Sequence, residues 1–150
     1  DYYLFYFQVK DELGSGYGFG KGPLFEMGDE LLKDLCLRYP ESAPIRIASM
    51  APCYSDNDDE KRFSDWFLWL LDKFGDNKDV RDCLHANLGS YFWTGTTIGL
   101  HKDNIQCYEK LLDHHRPEVA EWARKCANEE KMLLDREQCN EDFMELRYRR

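Results

Sequence analysis

At 150 residues with 43% apolar content, the chain is long enough for one domain with a buried core and too short for two comfortable ones. Aromatic residues make up 15% of it, and a net charge of −9 argues against broad attraction to nucleic acid or anionic lipid, leaving protein partners as the expectation. No run approaches the roughly 20 continuous apolar residues that cross a bilayer, and the opening DYYLFYF lacks the flanks of a secretory signal, so a soluble, cytoplasmic chain is expected.

The sequence starts without Met, which reads as a domain cut from a larger protein. Residues 1–24 are taken as an N-terminal lead-in and glycine-rich connector, and residues 25–150 as the folded domain. Within the connector, GSGYGFGKGP invites comparison with phosphate-binding loops. A Walker loop needs a hydroxyl residue after Gly20-Lys21 and a glycine at 15, where Gly22 and Ser15 stand instead; the dinucleotide pattern fails because Phe19 occupies its third glycine position. The stretch is read as a join.

From residue 25 on, a stripe at 24, 27 or 28, 31, 32, 35 and 39 predicts a helix closed by Pro40. Pro44 suits the first turn of a second helix that continues through Ile45 and Ala48 toward Cys53, with Pro52 ending or kinking it. The acidic run 55–60 is a turn from which Asp58 or Asp59 would cap a third helix, carrying Phe63, Phe67, Leu70, Leu71 and Phe74 and stopped by Gly75. Asn77 opens a fourth, with Val80, Cys83, Leu84, Leu88 and Tyr91 on its face. Residues 89–101 show no sustained period and read as a loop with Trp93 tucked against the body. Asp103 with Gln106 forms a capping box for a fifth helix bearing Ile105, Tyr108, Leu111 and Leu112. Pro117 starts the last helix, whose stripe of Val119, Trp122, Ala123, Cys126 and Leu133 thins into a charged end where Phe143 and Leu146 make marginal contacts.

Three segments align by their turns: LLKDLCLRYPESAPIRIASM, WFLWLLDKFGDNKDVRDCLHAN and CYEKLLDHHRPEVAEWARKC. In each a Leu-rich or aromatic helix meets a short polar turn, and the next helix opens on Ile45, Val80 or Val119. Their spacing falls within the period of helical solenoids, in which one helix pair cannot bury its apolar faces alone and stacks on its neighbours. KDVRDCLHANL and PEVAEWARKC resemble the second-helix signature of HEAT and armadillo repeats, over about residues 25–135. The passage from Trp93 to Glu137 is also similar to the C-terminal helical tails of large bacterial multidomain proteins, some of which carry nucleotide-hydrolysing or defence modules. The loop at 89–101 and the long last helix depart from a regular repeat.

Chemistry is sought and has no nominee. Six cysteines without a C-x-x-C read as free, mostly buried thiols. His114, His115, Cys107, Cys126, Cys83 and His85 offer metal donors, but no short two-ligand knuckle joins them and the adjacent histidines are expected to point in different directions, so no metal and no cofactor are expected. The two histidines instead suit a helix C-terminal dipole. Asp56, Asp58, Asp59 and Glu60 lack the glycine turn and distal Glu of a calcium loop. A Cys83/His85 pair would sit about 200° apart on one helix and cannot share a proton.

The expectation is therefore all-α: a HEAT-like stack of about three antiparallel helix pairs, a short α-solenoid, with a long charged C-terminal helix. Its function would be that of a non-catalytic protein-interaction or scaffold domain in a larger cytosolic protein. The alternative is an accessory helical domain of a nucleotide-dependent or nucleic-acid-processing enzyme. Trp66, Trp69 and Trp93 are the candidate partner-binding anchors, although large aromatics at helical spacing mostly fill cores.

Overall fold

A computed structural model of the chain describes residues 28–55, 61–88 and 97–148. These are helical: α1 (Asp29–Arg38), α2 (Ala43–Ala48), α3 (Asp65–Phe74), α4 (Lys78–Leu88), α5 (Ile98–Glu109) and α6 (Pro117–Tyr148). Among the described residues no strand forms, and Tyr54 with Phe63 makes an isolated antiparallel bridge. The glycine-rich stretch, Asp58, Asp59, Tyr91 and Trp93 lie outside the described residues.

Gly28 precedes α1 at φ 99°, a left-handed conformation that glycine adopts at no steric cost. Leu32 and Cys36, one turn apart, turn α1 into the core, whereas Leu31 and Tyr39, expected on the same stripe, face solvent. α2 is shorter than its sequence suggests. Pro44 sits in its first turn, and the helix ends at Ala48, well before Pro52. Asn87 of α4 donates to the carbonyls of Ala48 (3.3 Å) and Ala51 (2.7 Å), so the end of α2 is satisfied by a neighbouring helix.

The cap of α3 is Ser64. Its hydroxyl accepts from the Phe67 N–H at 3.1 Å and donates to the Pro52 carbonyl, while its own N–H reaches the Cys53 carbonyl at 2.9 Å. Phe63 thus lies ahead of the helix, stacked on Phe67 with centroids 4.0 Å apart and edge-on to Tyr108 at 5.2 Å. Gly75 ends α3 and the Asn77 side chain accepts from the Asp79 N–H to start α4, as expected. Val80, Leu84 and Leu88 form the buried stripe of α4; Cys83 is only partly covered.

α5 begins at Ile98, so Asp103 lies inside it and caps nothing. The buried face of α5 is Asn104, Cys107 and Tyr108; a polar residue in the stripe broke the apolar period from which its start was read. α6 runs 32 residues, about 48 Å at 1.5 Å per residue. Val119, Ala123, Cys126 and Ala127 bury its first half, and Leu133, expected to continue that stripe, is exposed.

α5 and α6 pack on one another most extensively. α2 contacts α1, α3 and α4; α3 contacts α4; and α4 in turn contacts α6. A single core of buried residues runs from Leu32 to Ala127 through these contacts.

Candidate functional site

Of the expected anchors, Trp66 is 3% exposed and its indole N–H donates to Asp29 Oδ1 at 3.0 Å, tying α3 to the start of α1. Trp69 is half-buried, edge-on to Trp66 at 5.4 Å and to Phe74 at 5.7 Å. The Lys33 ammonium lies over both indoles, 5.6 and 5.7 Å from the ring centroids. The structure brings these two tryptophans together as part of the packing between α1 and α3.

Two polar clusters sit along the packing of α5 and α6, one with the segment before α3 and the other with α4, and neither stands out as a sequence motif. In the first, buried Glu130 receives His101 Nδ1 on Oε2 at 2.6 Å and Asn104 Nδ2 on Oε1 at 3.1 Å. The Tyr54 hydroxyl donates to Asn104 Oδ1. Both carboxylate oxygens are engaged, so a chain of side chains clasps the segment before α3 to α5 and α6. The signal in the sequence is Asn104 and Glu130 standing at positions that helical periodicity assigns to the core.

The second cluster joins His85 of α4, Tyr108 of α5, and Cys126 and Glu129 of α6. His85 Nδ1 lies 2.7 Å from the Tyr108 hydroxyl, and His85 Nε2 lies 3.8 Å from Glu129 Oε2. One donor atom each of His85, Cys126 and Glu129 falls within 4.8 Å of the others. Burial pushes the Cys126 thiol up to about 12, with the Glu129 charge adding to it. The Tyr108 hydroxyl is also raised, by burial first and then by Cys126 and Glu130. A thiol so raised stays protonated near neutrality and is a poor nucleophile. Cys36 is likewise pushed to about 12 by burial, and Cys83 is raised by the same cause.

A third group lies at the end of α3. His114 and His115 stack with centroids 4.4 Å apart and an interplanar angle of 27°, so they do not point apart as expected; His115 Nε2 is 3.4 Å from Asp72 Oδ1. The Lys73 hydrogen bond holds the Asp72 carboxyl below its usual range, and burial, then the charge of His115, lowers His114. Around them Arg116 Nε donates to the Asp72 carbonyl at 2.7 Å and Arg81 Nη1 to the Gly75 carbonyl at 2.5 Å. Two guanidinium groups therefore satisfy the carbonyls that the C-terminus of α3 leaves open.

Beyond Glu130 every described side chain of α6 is at least partly exposed. Met132 is 73% exposed, Phe143 66% and Leu146 69%, with Leu133 and Met144 also in solvent. Cys139, Phe143 and Leu146 recur at i, i+4 and i+7, which places them on one helix face. Before and between them stand Asp135, Glu137, Glu141, Asp142 and Glu145 with Arg136, and the sequence continues after Leu146 with Arg147, Arg149 and Arg150.

No described helix is long and apolar enough to cross a membrane. Comparisons with protein-family models, curated proteins and solved structures find no match to this chain.

Proposed function

We propose that this chain is a non-catalytic protein-docking domain, built as a HEAT-like array of three antiparallel helix pairs, that seats a partner protein along the C-terminal half of α6. The stacking is supported by α2, α4 and α6, the second helix of each pair, touching in succession. The observation that carries the docking role is the exposure of Met132, Phe143 and Leu146 on a helix that continues past its last buried residue. A helix gains little by holding large apolar side chains in water, and each is worth about 1.5–3 kcal/mol when covered. Acidic residues precede Phe143 and arginines follow Leu146, so the strip presents both signs of charge to a partner whose apolar surface is bordered by the complementary order.

A photo-crosslinking residue introduced at 143 or 146 in the full-length protein, expressed in its own cells, tests this. The expected result is an adduct at both positions with the same peptide of one other protein, absent when the crosslinker stands at exposed Arg124 in the first half of the same helix. Yields at 143 and 146 no higher than at 124, or adducts only with this chain itself, overturn the reading.

A further inference from the structure

The geometry points to a zinc-binding site formed by His85, Cys126 and Glu129 at the contact between α4 and α6. Three features carry it. Cys126 and Glu129 are three residues apart on one helix, which places both side chains on one face as a two-ligand knuckle. His85 arrives from a different helix, so the site bridges two packed elements whose relative position the core already fixes. The Tyr108 hydroxyl occupies His85 Nδ1, which turns Nε2 toward Glu129 and leaves it as the ligating nitrogen.

The donor set selects the metal. One imidazole nitrogen, one thiolate sulfur and one carboxylate oxygen suit a borderline-soft divalent ion and disfavour calcium or magnesium, which take oxygen alone. Zinc bonds of about 2.0–2.3 Å in a tetrahedron separate the donors by roughly 3.5 Å. The three donor atoms lie within 4.8 Å of one another, so side-chain rotation closes the site without moving a helix. On binding, the Cys126 S–H bond breaks, its proton passes to solvent buffer and the sulfur–zinc bond takes its place. A neutral imidazole, a thiolate and a carboxylate then cancel the +2 charge, so the filled site places no net charge beside buried Cys126. Three protein ligands leave the fourth position to a water molecule.

The test is a titration of the full chain, reduced and stripped by chelator, with cobalt(II) as the spectroscopic substitute for zinc. The expected result is a near-ultraviolet thiolate-to-cobalt charge-transfer band that saturates at one equivalent and is displaced by zinc. Cys126→Ser should abolish the band while the helical circular dichroism is retained. His85→Ala and Tyr108→Phe should each weaken binding about tenfold or more. Cys139→Ser, and His114→Ala with His115→Ala, should leave the band unchanged. Absence of a thiolate band in the parent chain overturns the site, as does a band that survives Cys126→Ser.

Discussion

Gly75 has right-handed backbone angles, φ −69° and ψ −10°, at which alanine is ordinarily the more stable residue by about 0.4–1 kcal/mol through the unfolded chain. Here a Cβ would meet Val119 Cγ2 at 2.4 Å and the Leu71 carbonyl oxygen at 2.2 Å. The crowding reverses the sign. Gly75→Ala is expected to destabilise by about 2–3 kcal/mol in urea unfolding, the scale of an overpacked core. Adding Val119→Ala should recover part of that loss in a double-mutant cycle, the carbonyl contact accounting for the remainder. Additive single effects would show that the close approach to α6 is not the cause. Ser64 is the other residue whose role is local and large: its hydroxyl caps α3 and also engages the Pro52 carbonyl. Ser64→Ala is expected to lose about 2 kcal/mol, cap and buried bond together, seen as a melting temperature lower by about 4–8 °C. Gly75 was legible in the sequence as a helix stop because it follows an unbroken apolar stripe. Ser64 was not, because the acidic run just before it offered capping residues of the same kind.

Helix ends that rest on proline or glycine follow the sequence, and those that rest on a side chain from elsewhere do not. Pro44, Gly75 and Pro117 mark α2, α3 and α6 where expected. The end of α2 depends on Asn87, and the start of α5 is hidden because Asn104, a polar residue, occupies its buried face to meet Glu130. Period arguments assume that buried means apolar, and a satisfied polar cluster defeats them. The far half of α6 follows from the sequence because its charges crowd out a stripe, and exposure there bears on stability. Among the described side chains, ending the chain after Leu134 removes only ones that are exposed or half-buried. Such a truncation should reduce far-ultraviolet helical signal while moving the melting temperature by no more than about 2 °C. A larger drop would mean that residues 135–148 cover the core.

Among the described residues the six helices share one core, and Cys36 and Cys126 are buried in it. The clusters at His85 and Glu130 could not be located from spacing, since the first draws on α4, α5 and α6 and the second on α5, α6 and the segment before α3, which meet only through packing. Cysteine burial, by contrast, was legible, and it makes stability depend on alkaline pH. An unfolded cysteine loses its proton near 9.0, whereas folding holds these two protonated to about 12. Between those values the unfolded chain binds fewer protons than the native one, so stability is level below pH 9 and falls as pH rises toward 12. The slope is up to about 1.4 kcal/mol per pH unit for each thiol. Urea unfolding in chelator from pH 8 to 10.5 should show that decline, and Cys36→Ala, although less stable at pH 8, should decline less steeply. Equal slopes for the parent and the variant would mean that Cys36 ionises in the native state as readily as in the unfolded one, which its burial between α1 and the rest of the core does not permit.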